Sequence, residues 1–280
     1  VTCAYFLCPV RVRWALMLAA SYYFYMSWRW DYIFLIMTAT LVAWSTALGM
    51  GSAKSPAARR WSFLAGVTIN LSLLFVFKYF NFAMHSLQAC LDALGVGMAL
   101  PMSTLVLPVG ISFFTFQALG YTFDVYAGRQ KPERHPGYFG LYISFFPQLV
   151  AGPIERAENL LPELRASHSF DYRNAVEGMQ IAIWGMFKKV VVADRLAVFV
   201  NSIYNSPTDY PGFVLAMATV CFAFQIYCDF SGYSDIAIGC ARVMGIHLMT
   251  NFDRPYSAKS IPEFWKRWHI SLSTWLRDYL

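Results

Sequence analysis

The sequence predicts an all-α fold: a multi-pass bundle of transmembrane helices that includes broken and interfacial segments. Three observations carry this reading. Hydrophobic residues make up 58% of the 280-residue chain and charged residues only 14%, against roughly 25% charged in soluble domains. A soluble domain of this length could bury a large core without shedding charge. Several apolar runs approach the ~20 residues that cross a bilayer; residues 32–51 carry no charge at all. None alternates strictly, so helices are favoured over barrel strands as the way to satisfy the backbone in lipid.

Taken in order, the first span is expected at about residues 14–28, behind Arg11 and Arg13. The second is residues 32–51, followed by Lys54, Arg59 and Arg60. The third, residues 61–82, holds one charge, Lys78, and residues 81–104 then carry only Asp92. The fourth, residues 105–123, has nothing ionisable except Tyr121 and leads to Arg129, Lys131 and Arg134. Basic and non-basic loops alternate, which orients the basic ones toward the cytoplasm. The net charge of +6 belongs to those loops rather than to a nucleic-acid surface. Val1 is not an initiator methionine and the opening lacks a signal-peptide layout, so the natural chain is expected to begin earlier.

Beyond Gly137 the pattern changes. Residues 138–150 form a short apolar run containing Pro147, and "AGPIERAENLLPELR" mixes charge and proline like an interfacial segment. Residues 175–187 are apolar and expected to stop at Lys188 and Lys189, with Asp194 and Arg195 soon after. Breaks at membrane depth are tolerated where they are buried in protein or line a watery cavity, so this half is the expected seat of function. No internal repeat is evident, and residues 1–280 are treated as one domain. The six cysteines form no C-x-x-C pair and no metal spacing; Cys221 and Cys228 read as small buried thiols.

Residues 212–228 form another apolar helix that runs into "YCDFSGYSDIAIG". With a helix starting near Ser231, Ser231, Asp235, Ile238 and Arg242 share a face. Two readings stand side by side. In one, Asp229 caps the helix and Asp235 pairs with Arg242. In the other, the face is a polar wall toward a cavity, because intramembrane carboxylates are costly and mark partners or pathways.

The chain ends on "EFWKRWHISLSTWLRDYL". Ser260 to Glu263 reads as a capping box with proline in the first turn. Trp265, Trp268, His269, Leu272, Trp275, Leu276 and Tyr279 then recur at helical spacing, opposite Lys266, Arg267, Ser273, Arg277 and Asp278. One amphipathic interfacial helix is expected, too polar to span. His269 is either a packed histidine bonded to a backbone carbonyl or a proton carrier at physiological pH. No metal is expected, since His247 is distant in sequence.

"EFWKRWHISLSTWLRDYL", "DFSGYSDIAIG", "NFDRPYSAKSI" and "FFPQLVAGPI" together resemble the membrane-bound O-acyltransferase family. "LVLPVGISFFTFQALGYTFDVYAGR" and "FKYFNF" agree, so the resemblance covers essentially the whole chain. It implies helices around a tunnel, reached by a thioester donor (acetyl-CoA or an acyl carrier) from the cytoplasm and by an acceptor hydroxyl from the other side. No tightly bound cofactor is implied. His269 matches the first of two motif histidines and is the candidate catalytic residue; Asp235, Arg254 and Gln148 are candidate tunnel-lining residues. The second histidine lies in an apolar stretch beyond "WLRDYL", so the natural chain is expected to continue past Leu280. The resemblance favours acetylation of an exported polysaccharide, alginate first, in the bacterial inner membrane. Its partners are then the lipid bilayer, the polysaccharide and periplasmic acyltransferase proteins, with no nucleic acid.

The chemistry is coherent. A thioester is already activated, so transfer to an alcohol needs a base and correct placement of two reactants, away from water. No G-x-S-x-G elbow is present. A transporter or flippase also has broken helices and buried carboxylates, but here the breaks crowd into one half instead of recurring in two. A scaffold for a periplasmic transferase is the third reading.

Overall fold

A computed structural model describes all 280 residues. Every regular element is helical and no strand is present, as the composition predicts. In chain order the helices are α1 (Thr2–Leu7), α2 (Val10–Met26), α3 (Tyr32–Ser52), α4 (Pro56–Leu74), α5 (Phe80–Ala93), α6 (Ile111–Ala127) and α7 (Pro136–Ser144). Then follow α8 (Ala157–Arg165), α9 (Tyr172–Met186), α10 (Asp194–Tyr204), α11 (Gly212–Val243), α12 (Ile261–Arg267) and α13 (Ile270–Tyr279). Two π-helical segments, Phe75–Tyr79 and Phe187–Ala193, join α4 to α5 and α9 to α10. The chain divides into two compact units. One is Trp14–Phe146 with Arg156–Leu161; the other is Val1–Arg13, Pro147–Glu155 and Pro162–Leu280.

Three helical runs are long and apolar enough to cross a membrane: Tyr32–Ser52, Pro56–Ala93 and Gly212–Val243. The second begins at Ser55, whose Oγ accepts from Ala58 N at 3.2 Å with Pro56 in the first turn, the arrangement that sequence preferences favour at a helix start. Helices α2 and α6 have 17 residues each, about 26 Å of rise. The fourth expected span is therefore shorter than predicted. Residues 105–110 are not helical, because Pro108 lacks a donor and Gly110 takes φ +77° as the cap of α6, a conformation that costs glycine little. In the Trp14–Phe146 unit the largest core side chains are Tyr25, Phe114, Tyr121, Phe139 and Tyr142. Their polar ends are occupied: the Tyr121 hydroxyl accepts from Glu133 N at 2.7 Å, and Tyr25 donates to Val109 O at 3.2 Å.

The other unit is built on α9 and α11. A Cβ added to Gly185 would lie 2.6 Å from Gly232 O, and one added to Gly239 would lie 2.5 Å from Gly178 O. The glycines are a heptad apart on each helix and pair in opposite directions, so two antiparallel backbones touch along a seam that admits no side chain. On α11, Phe213, Met217, Val220 and Phe224 are exposed. Their spacing makes one apolar stripe, as expected of a lipid-facing surface.

Three expectations do not hold. The helix through residues 175–187 does not stop at the lysines; it passes through the π-segment into α10. Each lysine finds carboxylates there. Lys188 Nζ lies 2.6 Å from Asp235, and Lys189 Nζ lies 2.6 Å from Asp229 and 2.7 Å from Asp194. Nor does a helix begin near Ser231. Asp229 and Ser231 lie inside continuous α11, and Asp229 is an ion-pair partner rather than a cap. The Asp235–Arg242 pair is not formed; Arg242 binds Glu177 of α9. Seven residues of helix separate Asp235 from Arg242 by about 10 Å of rise, while the π-segment offers Lys188 to Asp235 and α9 offers Glu177 to Arg242.

Candidate functional site around His269

The terminal segment is not one helix. Ser260 Oγ accepts from Glu263 N at 3.3 Å, as a capping box requires, but the Glu263 carboxylate accepts from Lys259 N at 2.8 Å, one residue short of the reciprocal bond. Helix α12 ends at Arg267, His269 adopts φ +44°, ψ +56°, and α13 starts at Ile270. The break splits the expected stripe: Trp275 of α13 is buried, whereas Trp265 of α12 is exposed.

A left-handed conformation in a residue other than glycine costs about 1–3 kcal/mol and persists only where its surroundings impose it, although histidine tolerates it better than most. The surroundings here are the segment after α11. Asp253 N donates to Arg267 O and Ile270 N donates to Asn251 O, both at 2.9 Å. The Asn251 side chain is buried. Its Oδ1 accepts from Ser271 Oγ at 2.9 Å and Ser271 N at 3.3 Å, and its Nδ2 donates to Ser234 Oγ on α11 at 3.2 Å. Local amphipathicity favoured a straight helix; these long-range hydrogen bonds outweigh it.

The imidazole of His269 meets the Phe230 ring edge-on, with centroids 4.6 Å apart at 84°, and lies nearly parallel to Phe252 at 6.4 Å. Trp268 packs against Phe252, Phe264, Tyr227 and Tyr256. His269 lies outside the three membrane-crossing runs, yet removal from water disfavours its cation and lowers its pKa to about 4. At physiological pH it is a neutral imidazole.

The remaining sequence candidates are placed as follows. Asp235 pairs with Lys188 and helps line a recess of ~410 Å³ with Gln180, Ile181, Trp184, Ile238 and Thr250. Lys188 also donates to Ser231 Oγ at 3.0 Å and sits 5.9 Å from the Tyr227 ring centroid. Arg254 is exposed and left-handed, with φ +44°, at the head of the turn Pro255–Ser257. Gln148 is buried in the turn after α7, and its carbonyl accepts from Gly152 N at 3.0 Å. That turn reaches α11 where Ser234 Oγ donates to Ala151 O at 3.3 Å. Ser234 therefore links the Gln148 turn to Asn251, and Asn251 links it to the residues after His269. Asp235, the next residue on α11, turns its carboxylate to Lys188 instead.

Asn251, Ser271 and Lys188 carry no functional signal in the sequence. The "NFDRPY" motif contains Asn251, but nothing local marks which polar residue of such a segment is buried. The glycine seam was more accessible, since Gly178 and Gly185, like Gly232 and Gly239, stand seven apart.

Residues 135–280 match the pattern of MBOAT, the membrane-bound O-acyltransferase family. The chain is 40% identical to "Probable alginate O-acetylase AlgI" of Azotobacter vinelandii over 99% of this chain and 55% of the relative. It is 33% identical to "Peptidoglycan O-acetyltransferase" of Helicobacter pylori over 93% of this chain and 54% of the relative. It is 32% identical to "Teichoic acid D-alanyltransferase" of Bacillus subtilis over 64% of this chain and 46% of the relative. The chain thus spans about half the length of the curated relatives it matches.

Proposed function

Because the chain belongs to the membrane-bound O-acyltransferase family, we propose that it serves an enzyme that passes an acetyl group from a cytoplasmic thioester toward hydroxyls of an exported polysaccharide. Acetyl-CoA or an acyl carrier is the donor in this reading, and alginate the first acceptor to test. The protein is read as multi-pass in the bacterial inner membrane, with basic loops in the cytoplasm and periplasmic acyltransferase proteins completing transfer to the polymer.

One observation carries the catalytic part: a neutral imidazole held in a strained backbone between two helices, against Phe230. In the proposed step His269 takes the proton of the attacking hydroxyl as the thioester C–S bond breaks and the new ester bond forms. The thiolate leaving group is then protonated. Gln148, Asp235 and Arg254 are retained as tunnel-lining candidates. Their roles would be to hold the acceptor and exclude water, which would otherwise hydrolyse the thioester.

The test is acyl transfer by the protein at the length its gene encodes, with His269→Ala and His269→Gln. Glutamine reproduces an imidazole hydrogen bond but cannot exchange a proton near neutral pH. Both variants should reach the membrane normally and lose about 10²–10⁴-fold in rate. Near-normal transfer by a normally abundant His269→Ala would end the proposal. Substantial activity in His269→Gln alone would reduce the residue to one that orients a hydroxyl.

A further inference from the structure

We infer that Asn251 is a positioning residue for His269, holding the left-handed turn between α12 and α13 in the geometry that proton transfer requires. The inference rests on the proposed role of His269. Asn251 grips the chain just past the histidine with three contacts: its main-chain carbonyl takes Ile270 N at 2.9 Å, and its side-chain Oδ1 takes Ser271 Oγ at 2.9 Å and Ser271 N at 3.3 Å. A backbone N–H can only donate, so the Ser271 contact fixes which amide atom is oxygen and leaves Nδ2 facing Ser234 on α11. Ser234 in turn spends its own proton on Ala151 O. The amide therefore joins the histidine turn to the rigid helix that also carries Phe230, the ring against the imidazole.

Three features separate this arrangement from ordinary loop packing. The Asn251 side chain is only 1% exposed, as are Ser234 and Ser271, so its bonds face little competition from water. Its neighbour Phe252 lies nearly parallel to the imidazole, so one short segment sets both the backbone and the ring environment of His269. The turn it holds is also unfavourable on its own, and with the Asn251 side chain gone only the main-chain bonds of Ile270 N and Asp253 N remain, so it should relax toward the continuous helix that the local sequence favours. Such relaxation would swing the imidazole away from Phe230. A displacement of about 1 Å in a catalytic constellation costs on the order of 10²-fold in rate.

The experiment uses the protein at its encoded length, purified in detergent, with ¹⁵N-labelled histidine. Asn251→Ala should shift the His269 ring resonances, assigned through their loss in His269→Ala, and should lower kcat about 10²-fold with the donor KM unchanged. Asn251→Asp keeps the oxygen that Ser271 donates to. It should preserve the His269 resonances better than alanine and recover about tenfold of the lost rate, roughly one hydrogen bond's worth. If Asn251→Ala does not assemble, Asn251→Asp and Ser271→Ala carry the test, the latter with a smaller resonance shift. Unmoved His269 resonances in an assembled Asn251→Ala, or equal kcat losses in the alanine and aspartate variants, would overturn the inference. The resonance readout needs no turnover, so it distinguishes failure of this inference from failure of the His269 proposal, which full activity in His269→Ala would expose.

Discussion

Lys188 and Asp235 form an ion pair at 2.6 Å between the π-helical segment after α9 and the middle of α11. The side chains are 11% and 27% exposed, so neither charge is fully solvated. Breaking such a pair from one side leaves the other charge uncompensated, at less than the ~3–5 kcal/mol of a fully buried pair, whereas replacing both partners with apolar residues is often neutral. Lys188→Met and Asp235→Leu should each lower the thermal midpoint in detergent by several degrees, and the double variant should recover most of the loss. Additive losses would show that the two charges act independently.

The glycine seam gives a second test. Gly185→Leu must push apart backbones that touch, because Gly232 O and Ile236 N lie within 3 Å of the position its Cβ would occupy. It should lose about 2 kcal/mol or more, in the range for overpacking, and fall in membrane abundance. Gly212→Ala, where an added Cβ meets nothing within 4 Å, is the control and should be silent. Normal abundance and thermal stability in Gly185→Leu would refute the close approach.

The histidine has a pH signature. Burial lowers its pKa from 6.5 to about 4, so between those values the unfolded chain binds more protons than the folded one. Stability from this group is complete above the unfolded value and is lost as pH falls from there through about 4. The acid limb of acyl transfer should likewise lie well below the ordinary imidazole range. A limb centred at the unperturbed value would place the ring in water instead.

Orientation can be read with cysteine labelling in a background free of reactive native thiols. Ser55 caps α4, and Ser86 lies on the same continuous helical run, about 45 Å further along by helical rise. That distance exceeds a hydrocarbon core of about 30 Å. Ser86→Cys should label with a membrane-impermeant reagent in intact cells and Ser55→Cys should not. The opposite pattern would invert the proposed topology.

The membrane character of the protein follows from sequence alone, because a bilayer acts on composition: it removes charge from long runs and forces the backbone into helices wherever water is absent. Residues 32–51 became α3 with one added residue for that reason. Periodicity carried less information where proline, glycine and charge interrupted the runs. Lysines at 188 and 189 look like a helix end in one dimension. Only the tertiary structure supplies Asp229 and Asp235 from α11, which let the helix continue. The same holds at the end of the chain. The pattern of residues 260–279 favours one amphipathic helix. The bend at His269 is decided by Asn251, some twenty residues earlier in the chain, through hydrogen bonds that exist only once the segment after α11 has folded back against it.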